Sequence, residues 1–160
     1  MPPTAKASGQ YVNSILAIRD AKAQGYDEPI LLNTDGYLAE AASENIFLIR
    51  NNTVFTNDEQ DSILLGITRL SVMEIIRDLG YELQVTRLSV DDLMNADEAF
   101  VTGTAAEVVP IAQVDAKIIG AGRCGPITLK VQEEYMRAVY GRNPAYTHWT
   151  HAVKPIAVRL

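Results

Sequence analysis

Apolar residues recur every three to four positions in several segments of the chain, which is the period of an amphipathic α-helix. The longer predicted helices cover residues 10–24, 67–79 and 126–140, and a glycine that favours a left-handed helix end follows each of them. The apolar side of the first helix comprises Val12, Ile15, Leu16, Ala17 and Ala21. The predicted buried stripe of the second comprises Leu70, Met73, Ile76 and Leu79. A short helix is also predicted around residues 90–95.

Short β-type segments lie between these helices. Residues 29–33 lead into a turn at Asp35 and Gly36, the strongest hairpin pattern in the chain, and residues 37–42 return from it. Residues 45–50 then turn into 53–56, which predicts an antiparallel meander. The other predicted strands cover residues 82–88, 98–102, 108–111 and 114–119. Helices and antiparallel strands are mixed without a regular βαβ order, which predicts an α+β fold.

Composition and charge narrow the possible partners of this 160-residue chain. The formal net charge of −6 argues against nucleic acid, whose phosphates require a basic face. No apolar run approaches the ~20 residues that span a bilayer. A single cysteine, Cys124, leaves no internal disulfide, so we expect a cytoplasmic protein that binds neither nucleic acid nor membrane. The aperiodic stretch 142–160 is expected to be a surface strap or a disordered tail.

Few side chains in this sequence could carry chemistry. Both histidines, His148 and His151, lie in the aperiodic tail, where a solvated pair is a better interpretation than a metal site. Cys124 follows Arg123, but a small buried thiol explains it better than a reactive one. Lys6 differs from the other lysines because small residues surround it just before a helix, so a planar ligand could approach it closely. A surface lysine at a flexible end is the alternative.

Two loops have the composition of anion sites. Gly66, Ile67 and Thr68 stand at the start of the second predicted helix, where free amide hydrogens and the helix dipole favour a phosphate. The loop over residues 102–106 combines hydroxyl groups with small residues after a strand. Either loop alone is a weak indication, because every helix has an N-terminus.

Five segments, taken in order, resemble the class IV, fold-type IV aminotransferases, which depend on pyridoxal 5′-phosphate (PLP). The likeness is closest to the branched-chain amino acid type and extends from Lys6 to about Tyr140. The segments are KASGQY (6–11), LAEAASENIF (38–47), LGITR (65–69), GTAAE (103–107) and GRCGPIT (122–128). The resemblance implies the large C-terminal, cofactor-binding domain over residues 1–141, followed by a tail over 142–160. Its implied architecture is an antiparallel-rich pseudo-barrel sheet flanked by helices.

The resemblance also implies roles for individual residues. Lys6 looks like the lysine that binds the cofactor covalently and moves a proton between the substrate Cα and the cofactor C4′. Glu40 resembles the carboxylate that pairs with the pyridine nitrogen, and Tyr11 resembles the tyrosine that binds the phenolic oxygen. An outward strand carboxylate and an ordinary helix aromatic are the alternatives for these two. The other implied roles are ring packing by Leu64, phosphate binding by Ile67, Thr68 and Thr104, and substrate binding by Thr104, Ala105 and Ala106.

The implied activity is PLP-dependent transamination of branched-chain L-amino acids with 2-oxoglutarate, by a homodimer or larger homo-oligomer. The alternatives are a D-amino-acid aminotransferase, an aminodeoxychorismate-lyase-like enzyme and a truncated non-catalytic domain. The GRCGP segment at 122–126 favours the branched-chain type. Family members are longer and carry a smaller N-terminal domain that supplies a phosphate-binding arginine and aromatic pocket residues. We therefore expect this chain to be the larger half of a catalytic unit.

Overall fold

The computed structural model describes residues 5–153. Its α-helices are Tyr11–Ala23 (α1), Ile67–Asp78 (α2), Val90–Met94 (α3) and Pro126–Val139 (α4). Its strands are Ile30–Leu32 (β1), Leu38–Ala41 (β2), Asn45–Arg50 (β3), Thr53–Thr56 (β4), Leu83–Val85 (β5), Glu98–Gly103 (β6), Glu107–Pro110 (β7), Gln113–Val114 (β8) and Lys117–Ile118 (β9). The four predicted helices are confirmed, and each end lies within one residue of the predicted position.

A five-stranded sheet in the order β5-β4-β3-β6-β7 forms the centre of the fold. The central strand β3 pairs antiparallel with both neighbours, so that Leu48 lies opposite Phe55 on β4 and Ala99 on β6. The edge strand β5 instead runs parallel to β4. The pairs β1–β2 and β8–β9 form two further antiparallel sheets. These sheets and the helices confirm the predicted α+β class.

Side chains on β3 point alternately to two apolar layers. Phe47 and Ile49 pack with residues of α2 and α4, and Phe47 stacks on Phe100 of β6 with 4.9 Å between ring centroids. Ile46 and Leu48 pack on the opposite layer. Because both faces of β3 are covered, the strand is a continuous apolar run rather than an alternating one. This buried centre fixes the positions of β2 and β6, which reach the cavity described below.

Three details of the sequence prediction are wrong. The strand predicted over 82–88 is limited to β5, and the strand predicted over 114–119 is a hairpin of β8 and β9 that turns at Asp115 with φ 49°. Leu70 is 51% exposed instead of buried, whereas Val72 and Ile75 are fully covered. The reason is that α2 packs on the sheet and also against the segment after α4, so its buried residues are spread over more than one stripe of the helix.

The two ends of the described region, α1 and the segment after α4, differ in how they pack on the rest of the fold. The predicted apolar side of α1 faces outward in its first half, since Val12, Ile15 and Leu16 are each more than half exposed, whereas Ala21 is buried. The segment after α4 forms a 3-10 helix, Pro144–Trp149, which packs against α2 and α4 and is therefore not disordered. Its buried Tyr146 donates a hydrogen bond to Asp78 Oδ2 at 2.8 Å. None of the helices within residues 5–153 has the length and hydropathy needed to cross a bilayer.

Candidate active site

A cavity of about 640 Å³ lies between the segment before α1, strand β2, the loop before α2 and the end of β6. Its volume is typical of small-molecule sites. The predicted site residues that line it are Lys6, Tyr11, Glu40, Leu64, Ile67, Thr68 and Thr104. Ala105 and Ala106 lie in the turn that follows Thr104 and are not among the lining residues.

The basic side of the cavity comes from the segment that leads into α1. Lys6 is exposed and precedes a 3-10 turn, Ser8–Gln10, which places the first residue of α1, Tyr11, on the same cavity wall. Within residues 5–153, Lys6 forms no hydrogen bond or ion pair. Its positive charge nevertheless lowers the pKa of Glu40, so the amine acts on this carboxylate across the cavity.

Glu40 supplies the acidic group of the cavity. It is half-buried on β2 between the buried residues Ala39 and Ala41, and its Oε2 accepts a hydrogen bond from the backbone N–H of Leu64 at 3.0 Å. Burial is the main cause that raises the pKa of Glu40, and the charge of Glu44 raises it further. The Leu64 N–H and the charge of Lys6 lower the same pKa. This carboxylate is therefore partly desolvated and gains from a cationic partner.

Asn45 is a lining residue for which the sequence indicated no role. It begins β3, is 4% exposed, and donates from Nδ2 to the carbonyl oxygen of Leu64 at 2.7 Å. The same Nδ2 lies 3.5 Å from Glu40 Oε2. A polar residue at the start of an otherwise apolar strand was the available indication. Its partners could not be read from the sequence, because they come from β2 and from the loop before α2.

The opposite end of the cavity has the features of an anion site. Gly66 precedes α2 with no side chain capping it, and no acidic residue occupies the first turn. The amide hydrogens of that turn are therefore available to a ligand, and the helix dipole favours a negative one. Thr68 is buried in this turn, whereas the side chain of Ile67 is 80% exposed, so only the backbone of Ile67 suits such a contact.

A buried hydroxyl lies at the same cavity. Thr102, on β6 opposite Asn45, is 1% exposed and lines the cavity, and its Oγ1 has no hydrogen-bond partner among residues 5–153. An unpaired buried hydroxyl is unfavourable in a folded protein, so a polar ligand would relieve it. The amine, carboxylate, hydroxyls and helix N-terminus together fit a planar ligand with a ring nitrogen and a phosphate.

A polar network behind the cavity fixes the loop between β4 and α2. Buried Asp61 accepts from Arg87 Nε at 2.7 Å and from Asn33 Nδ2 at 3.3 Å. Buried Arg69 donates from Nη2 to the carbonyl of Asn57 at 2.9 Å. Burial lowers the pKa of the Arg69 guanidinium, while Asp58 and Glu59 oppose that change. These contacts hold the loop that carries Leu64 and Gly66.

The other candidate groups lie away from the cavity. His148 is on the 3-10 helix with Nε2 3.8 Å from Glu74 Oε1, and residues 5–153 contain no group of three metal-ligating side chains. Burial and then the charge of Glu98 raise the pKa of the Cys124 thiol, which is the direction expected for an unreactive cysteine.

The structure is an α+β domain whose cavity brings together an amine, a carboxylate and an uncapped helix N-terminus, and comparison with known proteins identifies its family. The family described as amino-transferase class IV matches residues 1–114. The chain therefore belongs to the class IV aminotransferases, as the sequence predicted.

Relatives and solved structures agree with this membership. The branched-chain-amino-acid aminotransferase of Pseudomonas aeruginosa is 44% identical over 150 residues, which are 94% of this chain and 48% of the relative. A probable enzyme of the same name from Aquifex aeolicus is 45% identical over 93% of this chain and 48% of its own length. A crystal structure of the branched-chain amino acid aminotransferase from Thermobaculum terrenum, in its PLP-bound holo form, has a TM-score of 0.91 and 38% identity, over 93% of this chain and 49% of that one. The chain thus spans about half the length of the curated relatives it matches.

Proposed function

We propose that this chain carries the lysine-bearing half of a PLP-dependent aminotransferase that exchanges amino groups between branched-chain L-amino acids and 2-oxoglutarate. The observation that carries the proposal is the convergence of Lys6, Glu40 and the uncapped N-terminus of α2 on one cavity. Relatives named as branched-chain-amino-acid aminotransferases favour this substrate class over D-amino acids or aminodeoxychorismate. We assign the cofactor-binding domain to residues 1–141 and a tail to 142–160.

The lining residues divide the binding of PLP among them in this proposal. The amides of Ile67 and Thr68, with the hydroxyls of Thr68 and Thr104, bind the phosphate. Glu40 pairs with the ring nitrogen, Leu64 packs on the ring, and Tyr11 donates to the phenolic oxygen. Lys6 attaches the cofactor through its amine. The unpaired hydroxyl of Thr102 supports a polar ligand in this cavity independently of these roles.

In this proposal, residues of the chain move the protons at the substrate Cα and at the cofactor C4′. Bound PLP supplies an electron sink for the electron pair left at the substrate Cα. The Lys6 amine removes the Cα proton and returns a proton at the cofactor C4′. Glu40 keeps a proton on the ring nitrogen, and its partial burial strengthens that ion pair. The amides of Ala105 and Ala106, with Thr104, hold the substrate carboxylate so that Cα faces Lys6.

We also propose that the protein works as a homodimer or larger homo-oligomer in the cytoplasm. The support for association is the outward apolar side of α1, because Val12, Ile15 and Leu16 form an exposed apolar row. The support for the cytoplasm is the single cysteine, half-buried and without a disulfide partner.

Lys6→Ala tests the proposed attachment. After unbound PLP, which absorbs in the same region, is removed, the 160-residue chain is expected to retain an absorbance band near the edge of the visible region, and this variant is expected to lose it. Lys22→Ala is the matched control, because Lys22 is an exposed lysine on α1 outside the cavity and its variant should keep the band. A band that persists in Lys6→Ala would refute the role of Lys6.

An amino-transfer assay separates the competing activities. Turnover of L-leucine with 2-oxoglutarate is the expected result, and D-alanine is the comparison substrate. Preference for D-alanine would replace the branched-chain assignment with the D-amino-acid one. Binding of PLP without any turnover would indicate a non-catalytic domain.

A further inference from the structure

One buried amide joins two parts of the candidate site. Glu40 Oε2 accepts the N–H of Leu64 at 3.0 Å, and Asn45 Nδ2 donates to the carbonyl of the same residue at 2.7 Å. Both backbone groups of Leu64 are therefore bonded to side chains, one from β2 and one from β3. Since Asn45 Nδ2 also lies 3.5 Å from Glu40 Oε2, the three residues form a closed triangle.

The amide oxygen of Asn45 faces Gly66, at the start of α2. A Cβ placed on Gly66 would overlap Asn45 Oδ1, so the absence of a side chain at Gly66 is what lets the amide fit there. The backbone of Gly66 has φ −63° and ψ 139°, which any residue can adopt. The close approach to Asn45 is therefore the reason that this position requires glycine.

We infer that Asn45 is a positioning residue that holds the Glu40 carboxylate and the loop from Leu64 to Gly66 in one fixed arrangement. Asn45 is 4% exposed, and buried amides of this kind keep protein hydrogen-bond partners. The inference rests on the proposed function, because Glu40 and Leu64 are there assigned to the cofactor ring. Through Asn45, the ring-nitrogen partner and the phosphate-binding helix end are set at a constant separation.

The first measurement uses the chain without cofactor. In Asn45→Ala, the Leu64 amide is expected to exchange with solvent about three- to tenfold faster, the size of effect that follows from losing one hydrogen bond. The pKa of Glu40, followed by carboxyl ¹³C NMR, should rise in this variant. In the wild-type chain the Leu64 N–H lowers this pKa, whereas burial and the charge of Glu44 raise it, and the variant weakens the bond from Leu64. Lys6 also faces Glu40 and lowers its pKa, so a Lys6→Ala spectrum is recorded for comparison.

A second variant covers the possibility that Asn45→Ala does not fold. Gly66→Ala leaves Asn45 in place and displaces its amide, so it should give the same faster exchange at Leu64. The double variant should be no worse than Asn45→Ala alone, because removing the amide also removes the overlap. Asn143→Ala is the control: its amide also bonds at both ends, to Glu134 and to the N–H of Ala145, outside the cavity lining.

Titration with PLP completes the test. Both single variants are expected to bind PLP several-fold more weakly than the wild-type chain, while Asn143→Ala binds it equally well. Unchanged Leu64 exchange and an unchanged Glu40 pKa in both variants would overturn the role of Asn45. The exchange and pKa measurements use no PLP, so they decide whether Asn45 positions Glu40 even if the wild-type chain alone binds no PLP, whereas the proposed function is tested separately by Lys6→Ala and the amino-transfer assay.

Discussion

Two buried threonine hydroxyls illustrate how a single residue can be assigned to stability or to binding. Thr102 and Thr128 are 1% and 0% exposed, and neither Oγ1 has a partner within residues 5–153. Thr102 lines the cavity, whereas Thr128 lies in the first turn of α4 and does not. Of the two threonines, therefore, only Thr102 lies beside a ligand bound in the cavity.

Thr102→Val and Thr128→Val are expected to behave alike without a ligand. Valine keeps the shape and removes an unpaired polar atom, so each variant should gain about 1 kcal/mol in the free energy of unfolding. For a chain of this size that corresponds to a rise of about 2–4 °C in the melting temperature. Thermal unfolding followed by circular dichroism measures it.

Only Thr102→Val is expected to weaken PLP binding, because only Thr102 belongs to the cavity wall. Thr128→Val therefore serves as its matched control. Equal PLP affinity in both variants would show that the Thr102 hydroxyl has no part in the site. A loss of stability in Thr102→Val would show that the hydroxyl is already bonded in the folded chain.

At the residue scale, the sequence pointed to residues that lie at the cavity but did not give the contacts that position them. Lys6 stood out because small residues surround it, Glu40 was singled out through the family resemblance, and both line the cavity. Asn45 belongs to a segment quoted for the family resemblance, yet nothing in its own pattern indicates a bond to Leu64. Its role depends on the register between β2, β3 and the loop before α2, which local sequence does not encode.

At the scale of elements, a carboxylate from the central sheet caps the N-terminus of α4. Glu98 on β6 accepts from the backbone N–H of Ile127 at 3.1 Å and of Thr128 at 2.8 Å, and it is 9% exposed. The negative charge lies at the positive end of the helix dipole. A Cβ on Gly125 would overlap the Glu98 carboxyl, so the helix starts after a glycine to admit its cap.

Gly125→Ala is expected to destabilise the chain by about 1–3 kcal/mol, because the new methyl group forces the Glu98 cap aside. Urea unfolding gives the change in free energy. Gly9→Ala is the control, since a Cβ there meets no atom within 4 Å and should change stability by less than about 0.5 kcal/mol. An equal effect of the two substitutions would contradict the capping role of Glu98.

The apolar period and the flanking glycines located α1, α2 and α4 closely, because both properties are local. They did not locate the face that each helix buries. Leu70 was expected inside and lies outside, since α2 has two neighbours and its buried side follows both of them. The cap of α4 was also missed, because Glu98 precedes it in another element.

For the whole molecule, the large apolar residues in the first half of α1 point away from the apolar layers, although Ala21 near its end is buried. Val12, Ile15 and Leu16 are 59%, 54% and 58% exposed. The period of the sequence predicts a helix with a covered side, and the cover does not come from residues 5–153. In the proposed homo-oligomer, a second copy would cover this side.

Leu16→Lys is expected to weaken self-association of the chain. A charged side chain in the centre of an apolar contact costs desolvation energy, and the loss of one central anchor is of the order of 2 kcal/mol or more, which is at least about thirtyfold in dissociation constant. Leucine and lysine have similar helix propensity, so α1 and the Tyr11 at its start should keep their structure. Sedimentation velocity over a concentration series measures the change.

Val139→Lys is the control for that experiment, because Val139 is 47% exposed on α4 and belongs to a different surface. If both variants dissociate equally, the loss follows from added charge and not from the α1 surface. If neither changes the sedimentation coefficient, α1 is not the contact between copies, and the proposed homo-oligomer must form elsewhere. Weaker association in Leu16→Lys alone places the contact on the helix that follows Lys6, so that assembly and the cofactor cavity share one element.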